Sequence, residues 1–304
     1  MAKNDDFCNI GKYISTTPKI NDEIFALIRG LSEENQNFVL RQISRSKEAY
    51  DKNCVITDLT AEEIKELKFL YEEFYPNILT LNKNLHYYGG YFLPIKDFIA
   101  DVFVYKHYLA EVFSKKTLDD IRNKDIIDVG GFICDSAVIL EREFTDKNVY
   151  SFEPTRSNHE LALQTLRLND SKRVIAINKG LGAQKSTMQI DLCGGASSLA
   201  FSRTQYVENV EITTLDDFVK EHNLQVGLIK VDIEGFEMEF LKGAKDTICS
   251  QKPALSICIY HSGRDYFHIK PLIESWNLGY RFEIFKRMDG YFTIDTALFC
   301  EILE

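Results

Sequence analysis

Residues 125–135 read Asp125-Ile126-Ile127-Asp128-Val129-Gly130-Gly131-Phe132-Ile133-Cys134-Asp135. A short β-branched run stops at two glycines, and a pattern of helical period begins at once. The order is strand, tight turn, helix. Glycines allow the backbone to turn sharply and approach a ligand, and the helix that follows presents free amides at its N-terminus. Taken alone, such a turn serves equally well as a plain loop.

Working outward, the same texture repeats. Strands are expected at 125–129, 148–152, 174–178, 227–232 and 254–260, with helices at about 135–143, 156–168, 214–222 and 236–247 between them. A helix near 264–276 precedes two candidate edge strands, 280–286 and 292–300. This alternation predicts a parallel sheet covered on both faces, a three-layer α/β domain. Ligands of such sheets bind outside the carboxyl ends of the strands, so the residues just after each strand carry most of the information.

The second strand ends Val149-Tyr150-Ser151-Phe152-Glu153-Pro154, which puts a carboxylate 23 residues beyond Gly130. In a doubly wound sheet a nucleotide ribose lies there, and an acid can accept both of its hydroxyls. A lone strand-end glutamate is ordinarily a solvated one; with the glycine turn it points to an adenosyl cofactor. A third strand empties into acids: Leu228-Ile229-Lys230-Val231-Asp232-Ile233-Glu234-Gly235-Phe236-Glu237. Three carboxylates at one sheet edge repel each other, which calls for a counter-charge such as a cofactor ammonium, a metal ion or a substrate proton. Asp232 is read as functional. Glu237 is read as structural, because acids in a first turn complement the helix dipole. The strand Ala254–Tyr260 ends at His261, a candidate general base beside Asp232.

Together, Asp128-Val129-Gly130-Gly131, Phe152-Glu153-Pro154, Thr214-Leu215-Asp216-Asp217, Ile229 to Glu237 and Leu241-Lys242-Gly243-Ala244 resemble FkbM-type methyltransferases in order and spacing. The resemblance covers about residues 120–285, and Lys230-Val231-Asp232-Ile233-Glu234-Gly235 is its specific part. It implies a Rossmann-like class I methyltransferase three-layer sandwich with a mainly helical N-terminal extension, and S-adenosyl-L-methionine as cofactor. It further implies Asp128, Gly130, Gly131, Phe132, Glu153, Pro154, Leu181 and Asp232 as cofactor contacts. Glu153 would hold the ribose, Gly130 and Gly131 would lie along the methionine part, and Gly180-Leu181-Gly182 would lie on the adenine side. Ser197-Ser198 also resembles a family feature, with no role attached.

The implied reaction is O-methylation of a hydroxyl on a sugar, a glycan precursor or a natural product. A sulfonium methyl is already electrophilic, so the protein chiefly aligns the partners. An aliphatic hydroxyl needs a positioned base or a metal ion, and Asp232, His261 and Glu234 are the catalytic candidates. A divalent metal is compatible with this, although no ligand set is assigned. One departure stands out: the usual third glycine of the first loop is Cys134. A cysteine is expected to fit there only if the position keeps ordinary dihedrals and the side chain points away from the cofactor.

Residues 1–115 are expected to form a mainly helical N-terminal region, and 116–304 the methyltransferase domain. Ser32 with Glu33 and Glu34 caps a helix carrying Phe38, Val39 and Ile43, and Thr60 with Glu63 forms a capping box. Ile64, Leu67, Leu70, Tyr71 and Phe74 then recur at helical spacing and are read as core. Gly89-Gly90 and Pro94 break the aromatic stretch 87–113 into a turn and a further apolar element. The region would act as a lid or supply substrate or oligomer contacts, a homodimer among them.

Composition narrows the partners. The 304 residues are 45% hydrophobic and 27% charged, as in ordinary globular proteins, and carry a net charge of -10. A broad basic surface for nucleic acid or anionic lipid is therefore not expected overall, and a small-molecule or glycan acceptor fits better. Met1 to Asp6 are polar, and no apolar run reaches the length of a membrane span, so a cytoplasmic protein is expected. Seven cysteines without a Cys-x-x-Cys pair argue for reduced thiols. Two rival readings are a nicotinamide-dependent sugar oxidoreductase, from Tyr266-Phe267-His268-Ile269-Lys270, and a silent scaffold, from Cys134. The first lacks the Gly-x-x-x-Gly-x-Gly turn that such enzymes need.

Overall fold

Five of the β-branched runs pair side by side in parallel. The computed structural model describes residues 10–192 and 207–303. β4 (Asp125–Val129), β5 (Val149–Phe152), β6 (Val174–Ile177), β10 (Val226–Val231) and β11 (Ala254–Cys258) lie in the order β11-β10-β4-β5-β6. The chain runs from β4 outward to β5 and β6, then returns to the other side of β4 for β10 and β11. The order therefore reverses at β4, and a crevice opens at its carboxyl end between β5 and β10.

Every residue of β10, and all of β4 after Asp125, is buried, as expected of strands covered on both faces. One row across this sheet is polar. Ser256, Lys230, Asp128 and Ser151 stand opposite one another in register. The helices Asp135–Glu143, Arg156–Leu168 and Leu215–His222 lie where helices are expected. The helix expected at 236–247 breaks at Ala244 into Glu237–Gly243 and Lys245–Gln251.

By its contacts the chain divides into two units, Met1–Asn77 with Cys258–Cys300, and Ile78–Ile257 with Glu301–Glu304. The second contains the sheet just described, and residues 78–115 group with it. Two small sheets belong to it as well. β1 (Leu79–Asn82), β2 (Leu85–Tyr88) and β3 (Tyr91–Leu93) form an antiparallel meander, with Gly89 and Gly90 at φ 57° and 93° in its second turn. β7 (Gly180–Leu181), β8 (Ser186–Asp191) and β9 (Val207–Thr213) form the other, which buries Ile190, Val210 and Ile212.

The first unit is mainly helical: Ile10–Thr16, Ile20–Ile28, Glu33–Lys52, Ala61–Phe69 and Gly263–Glu274, with the neighbouring strands β12 (Arg281–Phe285) and β13 (Ala297–Glu301, counted here to Cys300). Both expected caps are present. Ser32 accepts from Asn35 N at 3.2 Å, and Thr60 and Glu63 bond reciprocally at 3.2 and 2.7 Å. The aromatic and aliphatic stripe after Thr60 is core only in part. Leu70 and Phe74 are buried, whereas Ile64 and Tyr71 are exposed, because the helix gives way to a π-helical turn at Leu70–Phe74 and the facing residues shift. No helix among the described residues is long and apolar enough to cross a membrane.

Candidate functional site

The crevice at the end of β4 is a cleft of about 550 Å³, open solvent at its mouth included. Three loops build it. The first is the turn after β4, where the amides of Gly130 and Gly131 donate to Phe152 O at 3.1 and 2.8 Å and tie the turn to β5. Gly130 has φ +83°, and a Cβ there would sit 1.8 Å from the Asp232 carbonyl oxygen. No other residue fits so close an approach of two strand ends. Gly131 is required for a different reason: its Cβ would lie 2.0 Å from Ser151 Oγ.

Beneath this turn lies a buried ion pair. Lys230 Nζ is 3.2 Å from Asp128 Oδ1 and donates to Gly130 O at 3.2 Å, while Ser151 Oγ donates to Asp128 Oδ2 at 2.7 Å. Asp128 is fully buried and is not among the residues lining the cleft; nor is Gly131.

The second loop follows β5. Glu153 lines the cleft but is largely buried. Its Oε1 accepts from Thr155 N at 2.8 Å, Thr155 Oγ1 at 2.6 Å and Asn158 Nδ2 at 3.4 Å, and its Oε2 accepts from Phe132 N at 3.1 Å. Burial pushes the carboxyl up to about 7, against the downward pull of those bonds. Oε2 keeps acceptor capacity toward the cleft. Phe132, Pro154 and Leu181 supply apolar walls, Leu181 from the short strand β7.

The third loop follows β10. Asp232 N donates to Val129 O at 2.9 Å, which holds Asp232 at the cleft's edge with Ile233 and Glu234. Glu234 and Gly235 turn through φ 55° and 95°. Glu237 accepts from Ile233 N at 3.0 Å and is buried, so it fastens the turn.

Of the residues singled out from sequence, the cleft thus gathers Gly130, Phe132, Glu153, Pro154, Leu181, Asp232 and Glu234. His261 belongs to the other unit, buried three residues beyond β11, its ring centroid 4.0 Å from that of Tyr260. Ser197 and Ser198 lie outside the described residues.

Cys134 corrects one expectation. It does not keep ordinary dihedrals: φ is 60° and ψ 25°, the left-handed region that glycine adopts freely. Its side chain is nonetheless buried and does not line the cleft. The cysteine thus holds a backbone conformation suited to glycine, at the cost of strain. Burial also pushes its thiol well above the usual range. Tyr266 and Lys270 form no oxidoreductase site. The Tyr266 hydroxyl donates to Gln42 Oε1 at 2.8 Å, and Lys270 is buried against Arg29 O and Glu274.

Two groups escaped the sequence reading. Lys230 opens the specific segment of the resemblance with no role attached to it; a lysine in a run buried on both faces is the signal that finds its role, since buried charges need partners. His107 lies in the aromatic stretch before the sheet, where no periodicity marks it. Burial, with Lys230 adding to it and Asp232 opposing, brings its imidazole down to about 3.

Comparison with known proteins bears on the family and the fold. The profile of the methyltransferase FkbM domain matches residues 128–282. Methyltransferase 1 of Beauveria bassiana (strain ARSEF 2860) is 25% identical over 192 residues, 54% of this chain and 77% of its own. Methyltransferase sdnD of Sordaria araneosa is 24% identical over 182 residues, 47% of this chain and 69% of its own. In fold, the chain resembles the crystal structure of methyltransferase FkbM from Methylobacillus flagellatus KT, with a TM-score of 0.58 at 18% identity. That similarity covers 96% of this chain and 60% of the other, so this chain spans under two thirds of that protein. With the domain match falling on the strands and loops that build the cleft, the chain belongs to the FkbM methyltransferase family.

Proposed function

We propose that the chain is an S-adenosyl-L-methionine-dependent O-methyltransferase acting on a hydroxyl of a sugar, a glycan precursor or a natural product. The observation that carries the cofactor is Glu153, a carboxylate inside the cleft at the end of β5 with Oε2 turned to the Phe132 amide and acceptor capacity in hand. The remaining donor set suits the same ligand. Leu181, Phe132 and Pro154 offer apolar surface to a purine, and Asp232 and Glu234 offer negative charge to the ammonium and sulfonium of the methionine end. When bound, the cofactor supplies an activated methyl group; the chain's part is alignment, charge and exclusion of water.

Asp232, Glu234 and His261 remain the proposed catalytic groups, because a hydroxyl becomes nucleophilic as its proton leaves. Residues before the matched segment are assigned to acceptor selection, with homodimer formation a further proposal.

Incubation with methyl-tritiated S-adenosylmethionine and separate pools of nucleotide sugars, glycosides and hydroxylated natural products tests this. Label is expected in a hydroxyl-bearing pool and should survive mild base, as an ether does. Label released by base would indicate a carboxyl ester, and cofactor binding with no label in any pool would contradict O-methylation.

A further inference from the structure

The helix Arg156–Leu168 starts from Thr155, whose backbone is extended at φ -78° and ψ 135°, the ordinary geometry of an N-cap. A threonine there commonly accepts a hydrogen bond from an amide of the first turn, which otherwise lacks a partner. Thr155 departs from this: its side chain makes no capping bond among the described residues. The first amide, Arg156 N, donates to Glu208 Oε2 on β9 at 3.3 Å instead. The Thr155 hydroxyl turns back and donates to Glu153 Oε1 at 2.6 Å, beside the residue's own amide at 2.8 Å.

Thr155 is fully buried and is not among the residues lining the cleft, so it touches no ligand itself. What it governs is the carboxylate in front of it. Two donors from Thr155 and one from Asn158 engage Oε1, so that oxygen has nothing left for a ligand. Oε2 carries the Phe132 amide at 3.1 Å and keeps a lone pair for the cleft that Glu153 lines. The side chain is thereby fixed from behind. Burial opposes the ionised form of this carboxyl, and among the bonds that favour it the Thr155 hydroxyl acts most strongly.

We propose that Thr155 is a positioning residue of the cofactor cleft, its hydroxyl withdrawn from the helix cap to hold the Glu153 carboxylate with Oε2 facing the ribose. This rests on the methyltransferase reading above. The same bond favours the ionised carboxylate, the form that accepts from both ribose hydroxyls. The ligand class so selected is a ribonucleoside with both hydroxyls free.

The test is calorimetric titration of the full chain with S-adenosylhomocysteine at pH 6.5 and pH 8.5, for wild type, Thr155→Ser and Thr155→Val, each with a thermal melt. Valine keeps the shape and removes the donor; serine restores it. At pH 6.5 Thr155→Val should bind about tenfold or more weakly, since a hydrogen bond to a charged group is lost, while Thr155→Ser stays within about threefold of wild type. At pH 8.5 the deficit of Thr155→Val should shrink, because a carboxyl deprived of a donor needs a higher pH to ionise. The charged and titratable groups on the surrounding elements are Cys134 and the Asp128–Lys230 pair at the first turn, His159 on the helix, Lys179 beyond β6, Glu208 on β9, and Asp232 and Glu234 on the third loop. All three proteins share them, so the ratio of affinities isolates Thr155.

A folded Thr155→Val that binds within about threefold of wild type at pH 6.5 overturns the proposal. So does a deficit that serine fails to repair, or one equal at both pH values, which is what a reshaped cleft gives. If the valine variant does not fold, Thr155→Ala carries the same expectations, and unfolding of both assigns the hydroxyl to stability and overturns the proposal. Wild type that fails to bind S-adenosylhomocysteine removes the parent reading instead, and the proposal with it.

Discussion

The ammonium of Lys230 lies 3.2 Å from the carboxylate of Asp128, in register across β10 and β4, and both side chains are closed to water. The pair stands under the glycine turn and bonds its carbonyl at Gly130. Removing one member of a buried pair leaves an uncompensated charge, which costs about 3–5 kcal/mol, whereas removing both is often nearly neutral. Lys230→Met should therefore lower the urea midpoint sharply, and Lys230→Met with Asp128→Asn should recover most of the loss. A single variant as stable as wild type would show that the pair does not hold the turn.

Gly130 is fixed by its neighbour across the cleft floor. A methyl group there would meet the Asp232 carbonyl at 1.8 Å, at a backbone angle that L-residues avoid. Gly130→Ala should cost more than about 2 kcal/mol and abolish binding of S-adenosylhomocysteine, since the two strand ends must separate. Thermal melting and calorimetry check both; a variant that melts and binds like wild type would mean the turn relaxes freely.

Asp135 and Glu153 set a pH dependence. Burial raises both carboxyls, from 3.8 and 4.5 to about 7 in each case. The folded chain thus holds these protons more tightly than the unfolded chain. Their contribution to stability is greatest below the unfolded values and is lost as pH rises through about 7. Glu153→Gln carries no such charge, so its stability relative to wild type should grow between pH 5 and pH 8 in the ligand-free protein. Paired urea titrations at the two pH values measure it, and a constant difference would contradict the buried state of Glu153.

Cys134 and Cys300 are buried, and burial pushes both thiols upward. A thiol that stays protonated does not react. Neither should be alkylated in the native protein at pH 8, while Cys54, partly exposed, should be. Peptide mass mapping after iodoacetamide decides this; early labelling of Cys134 would place its side chain in the cleft rather than in the core.

Much of this was legible in the order of residues. The run at 125–129 and its partners announce a parallel sheet because strands covered on both faces must be apolar throughout, and the expected helix at 135–143 is found with the same limits. What spacing cannot show is register. Lys230 and Asp128 are about a hundred residues apart, and only strand pairing brings them together, so nothing in the order of residues announces their ion pair. The meander at 79–93 was hidden because its strands are short and its side chains mostly half-buried or exposed. The left-handed turn at His107 contains no glycine, which is the residue a reader looks for at positive φ.

The central claim is that the cleft around Glu153 takes the adenosyl cofactor. Isothermal titration of wild type and Glu153→Ala with S-adenosylhomocysteine at pH 7.5, with a nicotinamide dinucleotide as control ligand, addresses it directly. The account predicts saturable one-to-one binding to wild type, loss of most of that affinity in the variant, and no heat from the dinucleotide. Absence of binding to folded wild type, or equal binding to the variant, would contradict it.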